Sequence, residues 1–437
     1  MMLLNFEFGI ESGEVALTIP IWFAILGVIA ILALALFTWA ALHVQDPTAR
    51  HWKDGDFSID AHELAGLTHS TVLAGNAAEI LENGKFFDRL AEDLERAEKT
   101  IHFEAFLWKG GEASNRIVEI LVRKAKAGLK VRMMLDGSGS SVERKQRKAL
   151  SEAGCNVQTY HAFMHLRGIG RINNRDHRKI VVVDGRIGYV GGHCITDEWL
   201  GNAEKRGKYR DLSLRVDGPV VHQLQSAFLD NWVEECGEVP SGDTVFPKLE
   251  PAGDLKAHVA YLSIQGRTSS MKLLHYAVIS GAKKKIRIQN PYFLPDPDAI
   301  ELFKRAVERG VDVQVMLPAT EATDNALVQH ASHHRFGALL KIGIKIWEYE
   351  KTLLHQKVMT IDGKWVSVGS TNFDDRSFEL NDEVTIGVED EEFAAEFEAI
   401  FESDRKFARE KTLESYKKRT LMHRLTDFGA FLINEQL

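Results

Sequence analysis

The chain has 437 residues, 45% of them hydrophobic and 27% charged, with a formal net charge of -8 at pH 7. That length supports two ordinary domains or one large duplicated one, and the acidic balance argues against a nucleic-acid binder, which would be basic overall or carry a basic face. Three scattered cysteines, Cys155, Cys194 and Cys236, exclude a disulfide scaffold and a zinc ribbon and fit a reducing compartment.

In chain order, residues 1–14 carry acids (Glu7, Glu11, Glu14) and no Lys or Arg, and residues 15–44 carry no formal charge with His43 neutral. The apolar run exceeds the roughly 20 residues that cross a bilayer core, so a transmembrane helix is expected over 15–44, with a buried core helix as the alternative. Trp22 and Trp39 sit near its ends, where amphipathic rings favour the interface. Arg50 and Lys53 follow in a polar linker, residues 45–58. By the positive-inside rule they place the catalytic bulk in the cytoplasm and the leading segment outside, which predicts a single-pass protein of the inner or plasma membrane.

Beyond the linker, amphipathic helical runs alternate with short apolar strand-like runs, which predicts an α/β fold. Helix-patterned residues 86–99 lead into strand 101–108, then helix 117–127, Gly128 and strand 130–135. The order recurs as strand 285–290, helix 299–309, Gly310 and strand 311–317. AGLKVRMMLD aligns with RGVDVQVMLP, and AGCNVQTY with IGIKIWEY. Internal duplication follows, with one half over 59–245 and the other over 246–437. The first copy carries about ten extra residues before its motif, within 161–175.

Each copy ends in HxKxxxxD. The first reads HRKIVVVDGRIGYVGG, with His177, Lys179, Asp184 and Gly192; the second reads HQKVMTIDGKWVSVGSTN, with His355, Lys357, Asp362, Ser370 and Asn372. One such match is weak evidence, but two at equivalent places in a repeat point to chemistry. The four residues between Lys and Asp form a buried strand by pattern, and side chains two apart share a strand face, so each half presents an imidazole beside an ammonium. Two such pairs suit a phosphodiester, with one histidine attacking phosphorus and the other protonating the leaving alkoxide. The lysines and Asn372 offset charge on the phosphate oxygens, and the small residues at Gly192 and Ser370 admit the phosphate close to the backbone. A carboxylate should orient each imidazole, and Asp211 in YRDLSLRVDG and Glu383 in LNDEVTIGVED are the candidates, ahead of Asp184 and Asp362, which complete the motif's catalytic set but are expected to brace their loops. No HExxH occurs, and lysines within the motif are poor company for a divalent cation, so no metal or cofactor is expected. His330, His333 and His334 in HASHH read as a polar helix face near the cleft mouth.

Paired motifs with GG and GSxN tails resemble the phospholipase D superfamily and, more narrowly, its bacterial cardiolipin synthases. NNRDHRKIVVVDG, QNPYFLPD and STNFDDRSFELNDE support the resemblance, which runs from about residue 67 to residue 407. It implies two tandem α-β-α sandwich halves about a pseudo-twofold cleft. It also implies metal-independent ping-pong transfer through a phosphatidyl-histidine, with His177 as nucleophile and His355 as general acid. The implied substrate is a phospholipid, two phosphatidylglycerols giving cardiolipin and glycerol; the apolar span and acidic balance argue against nucleic acid. Hydrolytic phospholipase D is the alternative, a superfamily nuclease a third. A non-enzymatic scaffold would be expected to have lost a histidine or lysine, and none is lost. Three features depart from the family: Cys194 replaces the usual asparagine, leaving phosphate contacts there weaker or supplied by His193; one membrane span stands where many members have two; and the tail differs. In that tail, Leu421, Leu425, Phe428 and Leu432 recur at helical spacing among basic residues, as an amphipathic helix on an anionic membrane or a helix packed on the domain.

Overall fold

The computed structural model describes residues 3–8, 15–42, 59–161, 174–261 and 269–431. They divide into two units, Met1–Pro47 and Thr48–Leu437. The predicted linker with Arg50 and Lys53, most of the insertion at 161–175, and Leu432 lie outside the described residues.

In the first unit, β1 (Leu3–Phe8) pairs antiparallel with β2 (Val15–Pro20), and α1 (Ile21–Leu42) follows. The helix therefore begins at Ile21 and not at residue 15. Val15, Thr18 and Ile19 favour extended backbone, the residue before a proline is disfavoured in the helical region, and Pro20 is preset to open a helix. All 22 residues of α1 are uncharged. Its side chains are described over 22–36, and among the described residues no helix is long and apolar enough to cross a membrane.

The second unit opens with α2 (Ala61–Leu67), β3 (Leu73–Glu82), α3 (Lys85–Arg96), β4 (Thr100–Ala105), α4 (Glu112–Lys126) and β5 (Lys130–Asp136). There follow α5 (Arg144–Glu152), β6 (Asn156–Tyr160), β7 (Lys179–Val183), β8 (Ile187–Gly191), β9 (Tyr209–Arg210), β10 (Leu212–Asp217) and α6 (Val221–Cys236). Next come β11 (Leu255–Ala260), α7 (Ser270–Gly281), β12 (Lys285–Gln289), α8 (Pro297–Glu308), β13 (Asp312–Pro318), α9 (Ala326–Lys341) and β14 (Lys345–Tyr349). The chain closes with β15 (Leu353–Leu354), β16 (Val358–Ile361), β17 (Trp365–Gly369), α10 (Asp375–Glu379), β18 (Thr385–Glu389), α11 (Glu391–Arg405), β19 (Ala408–Lys411), α12 (Leu413–Lys417) and α13 (Leu421–Phe431).

One mixed sheet of 15 strands runs through this unit. From the antiparallel seam between β3 and β11, the order is β3-β10-β8-β7-β4-β5-β6 on one side and β11-β18-β17-β16-β12-β13-β14-β19 on the other. Seven strands thus repeat in the same order and sense. Helices cover both faces, so the central strands bury both sides and read as continuous apolar runs. Val181 and Val183 pack with Ile101, Phe103 and Met133, whereas Ile180 and Val182 face Leu224, Phe228 and Trp232 of α6. This alternation fixes where the motif points: His177 and Lys179 share one face, and Arg178 takes the other.

The motif aspartates lie at the far ends of their strands from the histidines. Asp184-Gly185 and Asp362-Gly363 turn the β7–β8 and β16–β17 hairpins with all four φ between 54° and 67°, the left-handed pair that Asp-Gly supplies. The Asp184 carboxylate accepts the N–H groups of Glu98, Lys99 and Thr100 at 2.7–2.8 Å. Asp362 accepts those of Lys283, Lys284 and Lys285 at 2.7–2.9 Å. Membership of the catalytic set is corrected for both: they anchor the starts of β4 and β12. Asp184→Asn and Asp362→Asn keep the turn but weaken these charge-assisted bonds. Each should cost about 1–3 kcal/mol in denaturant unfolding, while turnover of the folded protein stays within about threefold of wild type.

Candidate functional site

Two short backbone pairings build the site. The His177 N–H donates to the Asp382 carbonyl (3.0 Å) and the Asp382 N–H to the Arg175 carbonyl (2.9 Å). At the equivalent place β15 pairs parallel with β9, and the His355 N–H donates to the Arg210 carbonyl (2.8 Å). Each histidine is thereby laid beside the residue that follows its partner in the other repeat. His177 Nδ1 meets Glu383 at 2.8 and 3.0 Å, and His355 Nδ1 meets Asp211 at 2.7 Å. The sequence supplies one carboxylate after each motif; the fold exchanges them. With Nδ1 occupied, Nε2 of each ring is the nitrogen left for a reacting atom.

Lys179 and Lys357 each turn back to the carbonyl of their own histidine, at 2.7 Å, and Lys357 Nζ lies 3.1 Å from the His355 ring nitrogens. Lys179 also sits 5.1 Å from the centre of the Phe106 ring, which meets His177 edge-on. All four motif side chains are buried, yet the histidines and lysines keep 5–8% of their surface exposed. Lys179, Lys357, His355 and Arg376 all act electrostatically on His177, so the two motifs share one cleft.

Two residues expected to hold phosphate do something else. The Ser370 hydroxyl donates to Glu383 and accepts from the Val384 N–H (3.0 Å), while its own N–H donates to Val384 O. The Gly192 N–H is bonded to Leu212 O (3.2 Å), and a Cβ on Gly192 would stand 2.3 Å from Asp211 Oδ1. The small pairs let the carboxylates in, rather than the phosphate. Asn372, by contrast, is buried with no partner on Oδ1 among the described residues, and only its Nδ2 could donate to a phosphate oxygen. Cys194 is buried at the matching position, and burial pushes its thiol up. His193 cannot substitute, because its ring joins Ser213 Oγ (2.8 Å) to Asn83 O (2.9 Å) and stacks on Phe86.

The two imidazole–carboxylate pairs are electrostatically unlike. Burial and then the neighbouring lysines hold His177 well below the usual imidazole range. Burial and then Lys357 lower His355 as well, against the pull of Asp211. Burial raises Glu383 to about 7, whereas for Asp211 burial is outweighed by the charge and hydrogen bond of His355, and its carboxyl falls below the usual range. Near neutrality Asp211 is therefore a full anion, and Glu383 is shared between its two forms. Burial also lowers Lys357 to about 8.

Some supporting residues have no local sequence signal. Trp199 Nε1 donates to Asp211 at 2.7 Å and meets His355 edge-on. Arg178 reaches Ala227 O, Tyr261 O, Asp230 and Glu383 O, clamping the backbone that carries Glu383. Alternation along β7 was the available clue to its direction. In HASHH, His330 binds Asp427 (2.8 Å), His333 binds Glu348 (3.2 Å) and His334 stacks on Phe431. The helix face serves to seat α13. His330, His333 and Asp427 have ligand atoms within 4.8 Å of one another, but Arg419 already pairs with Asp427 and supplies the positive charge there.

The chain matches the family model described as cardiolipin synthase, PLD-like domain, over residues 90–232 and 276–405. It is 34% identical to the major cardiolipin synthase of Bacillus subtilis over 374 residues, 84% of this chain and 76% of that one. It is 35% identical to a cardiolipin synthase of Staphylococcus aureus over 339 residues, 77% of this chain and 68% of that one. Among solved structures, phosphatidylserine synthase of Haemophilus influenzae superposes with a TM-score of 0.66 at 14% identity, over 86% of this chain and all of that one. Polyphosphate kinase of Porphyromonas gingivalis gives 0.53 at 13%, over 82% and 53%. At those identities the structures speak for the fold alone.

The unlike carboxylates make a prediction. Asp211→Asn removes a full anion beside His355 and should lower kcat on the order of 10³-fold or more, as loss of an imidazole-supporting aspartate does elsewhere. Glu383→Gln removes a carboxylate that is partly neutral already, and should cost about 10–100-fold. Steady-state kinetics at pH 7 decides, and equal losses would contradict the asymmetry.

Proposed function

The chain belongs to the phospholipase D-like cardiolipin synthase family, and from that membership we propose that it is a membrane-bound phosphatidyltransferase joining two phosphatidylglycerols into cardiolipin and glycerol through His177. The observation that carries this reading is the crossed pair of buried imidazoles, each pinned at Nδ1 by a carboxylate of the other repeat.

The asymmetry of the carboxylates supports a division of roles between the histidines. A nucleophile must be neutral, and the deep lowering of His177 beside a half-protonated Glu383 keeps it so. A general acid must be stabilised as a cation, and the fully ionised Asp211 does this for His355 once an anionic phosphate enters beside it. His177 Nε2 attacks phosphorus, the bond to the glycerol oxygen breaks, and that oxygen takes the proton of His355 Nε2. The hydroxyl of a second phosphatidylglycerol then attacks the phosphohistidine, its proton passes to His355, and the electron pair returns to His177. Lys179, Lys357 and Asn372 offset charge on the non-bridging oxygens. The two repeats, 59–245 and 246–437, thus form one active site, with Arg178 and Trp199 holding the carboxylates in place.

Membrane binding belongs to the same proposal. The uncharged run that includes α1 supports a single-pass anchor in the inner or plasma membrane, with the catalytic unit cytoplasmic. At the other end, α13 packs Asp427 and Ala430 inward, while Leu421, Met422, Leu425 and Phe428 stay 48–72% exposed beside Lys417, Lys418 and Arg424. An apolar face flanked by cations suits an anionic lipid surface. Two attachments raise the effective concentration of lipid substrate at the cleft.

Purified protein in phosphatidylglycerol vesicles, with products followed by mass spectrometry, should yield cardiolipin and glycerol, unchanged by EDTA. Phosphatidic acid alone would assign hydrolysis instead, and full loss on chelation would overturn the metal-free route.

A further inference from the structure

A cavity of about 190 Å³ opens beside His355. It is lined by Arg206, Tyr209, Glu321, Thr323, Asp324 and Thr352 among others, from the loop before β9, the turn Thr320–Ala322 and the residues before β15. Its tie to the chemistry runs through the neighbours of His355, which is not itself among the lining residues. The Tyr209 ring stacks with His355 at 6.0 Å between centres, the segment from Thr352 runs straight into His355, and the Asp324 carboxylate acts electrostatically on that imidazole. The volume is below the roughly 300 Å³ of a drug-sized pocket, and a wall that mixes apolar surface with the polar side chains of Arg206, Glu321, Thr323 and Asp324 suits a small polyol better than an acyl chain.

Two features select the polyol. The Tyr292 hydroxyl donates to Asp324 Oδ1 (2.8 Å), which aims the carboxylate, and among the described residues no donor reaches Oδ2. A carboxylate oxygen so presented accepts from hydroxyls, and the Thr323 and Tyr209 hydroxyls stand with it on the wall. Arg206 is exposed and pairs with no carboxylate among the described residues. It offers a guanidinium to an anion at the mouth and repels an ammonium headgroup, which Asp324 and Glu321 alone would attract.

We propose that this cavity is the alcohol pocket of the transfer reaction, where Asp324 binds the hydroxyls of glycerol and Arg206 binds the phosphate that only the acceptor phosphatidylglycerol carries. The inference rests on the transferase reading above. In the first half-reaction the pocket holds the glycerol whose oxygen leaves phosphorus with the His355 proton. In the second it holds the glycerol of the incoming lipid, whose oxygen bonds to phosphorus as the bond to His177 breaks and whose proton returns to His355. Leaving and entering alcohols use the same path, so one pocket must serve both. What separates free glycerol from the acceptor lipid is the phosphate at the far carbon, and Arg206 lies on the rim.

The test uses the full chain in phosphatidylglycerol vesicles with labelled glycerol, scoring cardiolipin, label exchanged into phosphatidylglycerol, and phosphatidic acid. Water that resolves the phosphohistidine uses no polyol site, so the ratio of each product to phosphatidic acid isolates the second half-reaction. Any phosphatidic acid formed shows that the catalytic centre is folded and loads His177. Asp324→Asn should lower both cardiolipin and exchange about tenfold relative to phosphatidic acid, the loss of one charged hydrogen bond. Arg206→Ala should lower cardiolipin about tenfold relative to exchange, for the same reason. Either ratio within twofold of wild type overturns the pocket, as does faster release of ethanolamine from phosphatidylethanolamine than of glycerol from phosphatidylglycerol. Wild-type protein giving phosphatidic acid with neither cardiolipin nor exchange would instead defeat the transferase reading itself.

Discussion

A histidine that attacks phosphorus must be neutral at one nitrogen and pinned at the other, and the rest of this molecule is arranged around that requirement. Both pinning carboxylates come from the opposite repeat, which makes the two repeats inseparable: neither contains a finished imidazole–carboxylate pair. The devices that enforce it are modest. A parallel bridge joins Asp176 to Asp382, and a two-residue parallel pairing joins β15 to β9. Gly192 stands where any Cβ would collide with Asp211, Ser370 bonds Glu383, and the seam between β3 and β11 continues one sheet into the other.

Near-symmetry in the backbone does not give symmetry in the chemistry. Glu383 receives the Ser370 hydroxyl and rises under burial, whereas Asp211 receives Trp199 and a backbone N–H and stays ionised. Serine stands against glycine at one matched position and asparagine against cysteine at another, so the two sides of the site differ in the groups that meet their carboxylates. The cavity lined by Tyr209 and Asp324 lies on the His355 side, where the proposed alcohol exchange would take place.

Much of this was legible in the chain. The duplicated strand–helix order, the matched motifs and the identities of Asp211 and Glu383 follow from local pattern. Crossing of the carboxylates does not, because it depends on contacts 206 and 144 residues apart that no local rule encodes. Trp199 and Arg178 were hidden for the same reason. Other differences had a local signal that composition overrode. Pro20 marks the start of α1 within an unbroken apolar run, and Asp-Gly after each buried strand is a hairpin turn before it is part of a catalytic signature. Glycine and serine after the hairpins suggested close approach correctly, but of a carboxylate and not of the phosphate. Of the α13 alternatives, packing on the domain is seen on its inner face, which meets α9, while its apolar outer face stays exposed.

The central claim is that His177 alone carries the phosphatidyl group while His355 moves the proton. His355→Ala loses the acid of the first half-reaction as well as the base of the second, so a phosphatidyl ester with a leaving group that needs no protonation should load His177 and leave the covalent intermediate undischarged. Peptide mass spectrometry of that variant after brief exposure to phosphatidyl-4-nitrophenol should find the phosphatidyl adduct on His177, and His177→Ala should give none. An adduct on His355 in the His177→Ala variant would contradict the account.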